Sequence, residues 1–306
     1  MKLIKPKFWK TNNLTSYLLW PLTLITRLII ILKKNRHSYK SNISTLCVGN
    51  IYLGGTGKTQ LVIELNKMLE SKFKICVIKK KYESQIDEQK LLAKSTTLIL
   101  PSRRIEGLKK VEKSKKNLVI FDDGLQDKSI KYRLSLVCFN SLTGIGNGKI
   151  LPAGPLRESL AELKNYNAVF INGGKNKILN EKIKKYNKDI KIFYGKYNLK
   201  NKKDFNIKLK YLAFCGIGTP ENFFNLLKKN KLKIIKKITF PDHYDYKISD
   251  LNKIKKIAKK NNLQIVTTEK DFTKINKFKN NQIKFTKVNL LINNRTSFKK
   301  FLGNNL

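Results

Sequence analysis

The stretch GNIYLGGTGKTQ, Gly49–Gln60, carries lysine, threonine and glycines at the spacing that holds a polyphosphate. Gly54, Gly55 and Gly57 let backbone N–H groups close round phosphate oxygens without Cβ interference, with Thr56 and Gln60 completing the loop. Lys58 would then neutralise the β- and γ-phosphates of a nucleotide, and the Thr59 hydroxyl would hold Mg²⁺. One residue breaks the pattern G-x-x-x-x-G-K-[ST]: Tyr52 stands where the first glycine belongs.

A phosphate loop needs a second anchor for its metal, and NLVIFDDGLQD supplies it. An apolar run ends in Asp122 and Asp123, which places two carboxylates at the carboxyl edge of a sheet. Two adjacent carboxylates repel unless a cation lies between them, so both are candidate Mg²⁺ ligands. The long glycine- and proline-rich stretch GIGNGKILPAGPLRES, residues 144–159, carries Arg157, whose fork suits a phosphate. FPDHYDY holds His243, one of two histidines in the chain, flanked by Asp242 and Asp245 and suited to proton transfer. NKKD, Asn201–Asp204, resembles a guanine-reading motif, but it follows no apolar strand and no D-x-x-G accompanies the loop, so ATP is favoured. TPEN and TEKD, at 219–222 and 268–271, read as helix-starting chemistry.

These groups need a scaffold of parallel strands. STLCVGN reads as the strand before the phosphate loop and Lys58–Leu69 as the helix after it, with Leu61, Leu65, Met68 and Leu69 on one face. KICVI, TTLIL, NLVIF, LSLVCF and NAVFIN are further strands, apolar enough to be buried on both faces. After a polar stretch near 195–208 a second series begins with YLAFCGIG. The expected fold is therefore α/β, a P-loop-like, mostly parallel sheet between helices, with a second, smaller α/β/α domain. The expected division is 1–36 as a membrane-associating helix, 37–200 as the P-loop domain and 201–306 as the smaller domain.

LTSYLLWPLTLITRLIIILKK is apolar for about the length of a membrane-spanning helix. Pro21 and Arg27 interrupt it, so an interfacial or hairpin-like anchor is expected, with Trp9, Trp20 and flanking lysines at headgroup level. The chain has 306 residues, and its 65 Lys+Arg against 21 Asp+Glu give a formal charge of +44, which favours an anionic partner. Lysine enrichment across a genome is the plainer account of that charge. A nucleic-acid-stimulated ATPase is the alternative functional reading, and a nucleotide-binding membrane protein without catalysis a third. No aromatic-interleaved basic patch supports a nucleic-acid partner. Cys47, Cys76, Cys138 and Cys215 lie far apart in apolar runs, as buried residues of a reducing compartment do.

VGNIYLGGTGKT, FDDGLQ, GNGKILPAGPLRE, GIGTPENFF, FPDHY and TTEKD occur in one order along most of the chain. Together they resemble the tetraacyldisaccharide 4′-kinases of Gram-negative bacteria, which also lack the first loop glycine. The resemblance implies an inner-membrane enzyme working on the cytoplasmic face of an anionic bilayer, and a monomer is expected. It would move the γ-phosphoryl group of ATP, with Mg²⁺, to the 4′-hydroxyl of lipid A disaccharide 1-phosphate, giving lipid IVA. Carried over by motif, Lys58, Thr59, Asp122 and Asp123 serve ATP and metal, while Gln126, Arg157 and Arg104 of SRRIEG serve the substrates. His243 matches the histidine of an acceptor-activating pair. Its aspartate belongs to a family segment G-D-E-P-x-L-L-A, matched here by IDEQKLLAK, which makes Asp87 the candidate base. Closure of the two domains is expected to bring Asp87 and His243 together. The family's S-R-G-Y-G is KKKYE here, leaving Tyr82 as a platform for adenine or sugar, and its histidine after D-D-G-x-Q is Asp127.

Overall fold

The computed structural model describes residues 6–34, 38–278 and 282–306. Helices α1 (Leu14–Leu18) and α2 (Thr23–Lys34) precede β1 (Tyr39–Lys40), β2 (Ser44–Gly49), α3 (Lys58–Leu69) and β3 (Ile75–Lys79). Next come α4 (Ile86–Ala93), β4 (Leu98–Ile99), α5 (Arg104–Glu112), β5 (Leu118–Asp122), β6 (Ile130–Lys131) and β7 (Leu134–Asn140). They are followed by β8 (Ala168–Asn172), α6 (Lys177–Tyr186), β9 (Lys191–Leu199), β10 (Lys210–Cys215), α7 (Pro220–Lys229) and β11 (Lys233–Thr239). The chain closes with α8 (Ile248–Lys260), β12 (Gln264–Thr268), α9 (Glu269–Ile275), β13 (Ile283–Thr286), β14 (Val288–Ile292) and α10 (Arg295–Asn305).

Two compact units result. One holds residues 6–81, Leu92–Lys196 and Leu291–Leu306; the other holds Tyr82–Leu91 and Tyr197–Leu290. A single cut near residue 200 therefore misses two exchanges. The start of α4, which carries Asp87, packs with the later unit, and α10 packs with the earlier one through Phe298, whose ring lies 5.8 Å from that of Phe170. Both exchanges depend on tertiary packing, which the linear pattern does not encode.

The larger unit is built on an eight-stranded sheet in the order β14-β9-β8-β7-β2-β5-β3-β4. From β4 to β9 neighbouring strands pair in parallel, and β2, β3, β5, β7 and β8 are buried along nearly their whole length. The strand order reverses at β2, which lies between β5 and β7, so the carboxyl ends of β2 and β5 face one crevice. The phosphate loop and the acid pair leave from those two ends. The smaller unit is a parallel four-stranded sheet in the order β11-β10-β12-β13. Leu212, Phe214, Tyr246, Leu251 and Ile254 form part of its core on one face, and Tyr211, Ala213, Phe223 and Leu227 on the other. NKKD folds on itself, with Asn201 Nδ2 donating to Asp204 at 2.8 Å and to the carbonyl of Phe285, and is a strand-joining turn.

No helix among the described residues is long and apolar enough to cross a membrane. The twelve residues of α2 span about 18 Å, against about 30 Å of bilayer hydrocarbon. Leu14, Leu18, Trp20, Leu24, Leu28 and Leu32 are nevertheless all exposed. Trp9 departs from the expected headgroup position: it is buried, and its Nε1–H donates to the carbonyl of Pro152.

That contact belongs to a clasp formed by the 144–159 loop. The Asn147 amide donates to the Trp9 carbonyl at 2.9 Å, and Asn147 Nδ2 donates to the carbonyls of Phe8 and Ala153. Lys149 Nζ donates to the carbonyl and hydroxyl of Ser16 and lies 3.4 Å from the centre of the Tyr17 ring. Gly146 permits the approach. Its φ is +60°, and a Cβ there would sit 2.5 Å from the Trp9 carbonyl oxygen.

Candidate active site

The loop after β2 turns with positive φ at Gly54 (114°) and Gly57 (88°), and Gly57 caps α3. Lys58, Thr59 and Gln60 form the first turn of that helix, where unpaired backbone N–H groups favour an anion. Tyr52 needs no left-handed backbone. Its side chain is buried in the core with Ile51, Ile145 and Leu156, and it bridges to Leu156. The first-glycine position is thus spent on packing. Asn50, which sequence reasoning passed over, braces the loop: its Nδ2 donates to the carbonyls of Tyr52 and Gly54, and its Oδ1 accepts from Lys58 Nζ at 3.1 Å.

The end of β5 brings the acid pair to this loop. Lys58 Nζ lies 3.6 Å from Asp123 Oδ1, and Arg157 Nη1 donates to the same carboxylate at 3.0 Å and 3.2 Å. Burial raises the Asp123 pKa, but Lys58, Arg157 and Lys79 outweigh it and hold the carboxyl well below the usual range. Arg157 also donates to Gln126, whose Nε2 donates to the Asn50 carbonyl. Arg104 is buried and donates to the Asp123 carbonyl at 2.6 Å, whereas Arg103 is exposed and pairs with Glu106. Asp123 adopts φ 60°, a left-handed conformation that a non-glycine residue enters at a cost and that concentrates at functional positions.

Asp122 is fully buried, its Oδ2 bonded to Lys79 Nζ at 2.9 Å and its Oδ1 without a hydrogen-bond partner. That unused oxygen, the Asp123 carboxylate and the Thr59 hydroxyl are hard donors that fit Mg²⁺. No group of three or more His, Cys, Asp or Glu suited to a metal occurs among the described residues.

In the smaller unit, α4, the turn after β11 and the start of α9 converge on a second cluster. His243 Nδ1 lies 3.1 Å and 3.2 Å from the two oxygens of Asp87, 156 residues away in the chain. Both residues belong to one unit, so no closure between units is needed to pair them. His243 also takes a left-handed φ of 56°. Lys274 Nζ lies 2.9 Å from Asp87 and Lys270 Nζ 3.7 Å. Burial raises the Asp87 pKa, but the His243 hydrogen bond and the charges of Lys270 and Lys274 overcome it, leaving the carboxyl far below its ordinary range. Tyr82 lies in the same unit, partly exposed before α4, and its carbonyl accepts from Gln89 Nε2 at 2.6 Å.

Residues 15–306 match the family model described as tetraacyldisaccharide-1-P 4′-kinase. The chain belongs to this kinase family. It is 46% identical over 288 residues to the tetraacyldisaccharide 4′-kinase of Pelagibacter ubique, covering 92% of each chain. It is 35% identical over 301 residues to that of Rickettsia akari, covering 92% of this chain and 91% of the relative. The fold is similar to that of LpxK from Aquifex aeolicus, crystallised in an "apo" form in complex with ATP. There the TM-score is 0.68 at 21% identity, covering 94% of this chain and 98% of the other.

Two departures from the kinase-family pattern have local structural answers. Asp127, in place of a histidine, accepts from the Ser129 hydroxyl at 2.6 Å and lies 3.4 Å from Arg104. Lys79, in place of a serine, supplies the buried counter-charge of Asp122. Removing one member of a buried pair leaves the other charge desolvated and alone, a loss of about 3–5 kcal/mol. Lys79→Met is therefore expected to lower thermal stability by that amount, and the double variant Lys79→Met/Asp122→Leu to regain much of it. A melting curve unchanged by Lys79→Met would show that the pair carries no such weight.

Proposed function

We propose that the protein is an ATP-dependent kinase that phosphorylates the 4′-hydroxyl of lipid A disaccharide 1-phosphate to give lipid IVA. The observation that carries the reading is the pairing of Asp87 with His243 beside two lysines, in a chain that also has a complete GGTGKT loop. In this reading the loop glycines and Lys58 hold the ATP phosphates, and Thr59, Asp122 and Asp123 hold Mg²⁺. The ion, when bound, neutralises charge on the transferring and leaving phosphates. Arg157 and Arg104 steer phosphate oxygens, with Gln126 keeping Arg157 in place. Asp87, oriented by His243, accepts the hydroxyl proton as the new O–P bond forms and ADP leaves. A strongly stabilised carboxylate suffices, because the attacking hydroxyl grows acidic only late in a loose phosphoryl transfer. Tyr82 offers its ring to the sugar or the adenine.

The exposed apolar faces of α1 and α2 support peripheral or single-anchor attachment to the cytoplasmic face of the inner membrane, the enzyme acting as a monomer there. Purified protein with Mg²⁺, γ-labelled ATP and lipid A disaccharide 1-phosphate in anionic vesicles is expected to yield labelled lipid, with the protein floating alongside the vesicles. ATPase activity stimulated by RNA or DNA, with no lipid labelled, would overturn the assignment.

A further inference from the structure

Lys79 lies outside the phosphate loop, yet it stands at the acid pair. It is the last residue of β3, in register with Asp122 at the end of β5, and it is buried. Its Nζ lies 2.9 Å from Asp122 Oδ2, and Oδ1 is the oxygen left without a hydrogen-bond partner. Stability alone does not call for an ammonium here. A buried ion pair must offset the desolvation of two charges, whereas the serine of the family pattern is neutral and adds none.

The effect of Lys79 is on the charge that a metal meets. Asp122 and Asp123 face three cations: Lys79 at 2.9 Å, Arg157 at 3.0 Å and Lys58 at 3.6 Å. The neighbouring charges cancel, Arg104 against Asp127 and Lys128 against Glu158, each pair at 3.4 Å. The acids are therefore outnumbered before a nucleotide enters, and a bare divalent ion is repelled. The phosphates of ATP reverse that sign and bring ligands of their own. We propose that Lys79 makes metal binding conditional on nucleotide, occupying Asp122 so that Mg²⁺ is held only once phosphates fill the loop. The inference deepens the kinase reading above and rests on its placing of the metal at Thr59, Asp122 and Asp123. With serine at this position the two acids would be matched by Lys58 and Arg157 alone. A metal could then lodge first and weaken the positive field that draws ATP in.

The test needs no lipid substrate. The full chain is held in uncharged micelles, and Mn²⁺ binding is read from the loss of the free ion's paramagnetic resonance signal. The unmodified protein is expected to hold Mn²⁺ at the loop only when a non-hydrolysable ATP analogue is present. Lys79→Gln keeps a donor for Asp122 and removes the charge, and Lys79→Ser installs the residue of the family pattern. Both should bind Mn²⁺ without nucleotide about tenfold or more tightly than the unmodified protein. Binding in the analogue complex should change much less, since phosphates then supply part of the coordination. Asp123→Asn marks the site, because Mn²⁺ held elsewhere is indifferent to it. A merely structural lysine predicts lost stability with no gained affinity. Nucleotide-free binding in the unmodified protein that Asp123→Asn abolishes overturns the proposal, whether or not the Lys79 variants fold. So does a folded Lys79→Gln or Lys79→Ser without the gain. The expected titrations without any lipid phosphorylation would leave the metal order standing and remove the kinase reading.

Discussion

Asp87→Asn is expected to lower kcat by about 10²–10⁴-fold, the range for losing a general base, with little change in KM for ATP. The amide keeps the shape of the carboxylate, which is buried and accepts from His243, but cannot receive a proton in the transition state. It also leaves Lys274, at 2.9 Å, facing a neutral group, so some loss of stability accompanies the loss of rate and should be measured alongside it. His243→Ala should fall in the same range, because an unbraced Asp87 is misdirected towards Lys274 and Lys270. The decisive measurement is the double variant. If the two residues act as one device, Asp87→Asn/His243→Ala is scarcely worse than the poorer single variant. Independent, multiplying losses would show that the 3.1 Å contact is incidental.

Lys58→Ala is expected to cost about 10²–10³-fold in kcat/KM, the effect of deleting one preorganised charge aimed at a developing anion. The side chain bridges the loop and the acid pair, touching Asn50 on one side and lying 3.6 Å from Asp123 on the other. Arg157 still pairs with Asp123 when Lys58 is gone, so the fold should persist and the melting temperature should shift little. Lys58→Arg should not rescue. A planar fork cannot replace a compact ammonium inside a loop whose backbone closes round phosphate. Near-normal turnover in Lys58→Ala would remove the loop from the chemistry.

The two sites differed in how openly the chain announced them. The phosphate loop was legible because its residues are contiguous and its strand–loop–helix setting follows from local pattern; the structure returns Lys58–Leu69 as a helix. Tyr52 looked like a defect only because a pattern records residue type and not backbone angle. Lys79 was silent: a lysine at the end of an apolar strand in so basic a chain reads as surface, and only the register with Asp122 across the sheet exposes its buried role. The ion pairs of Lys270 with Glu88 and Asp242 were masked by a better-known meaning of its motif, since Thr268 does cap α9, accepting from the Asp271 amide. Trp9 was misplaced because aromatic residues beside an apolar run suit a headgroup layer, and the Pro152 carbonyl that captures it lies 143 residues away. In each case the missing information was a contact between distant parts of the chain.

The clasp around residues 8–17 changes what a shortened protein would report. The loop that grips Phe8, Trp9 and Ser16 runs on directly to Arg157, whose amide donates to Ile51 and whose side chain pairs with Asp123. Trimming the greasy amino terminus to ease purification would strip Asn147 and Lys149 of their partners at residues 8–17 and slacken the segment that aims Arg157. Weak turnover in such a truncation would then measure damage beside the nucleotide and say little about how firmly the enzyme holds lipid. Attachment and catalysis are better separated by placing charges on the outward faces of α1 and α2, which leaves the stitching intact.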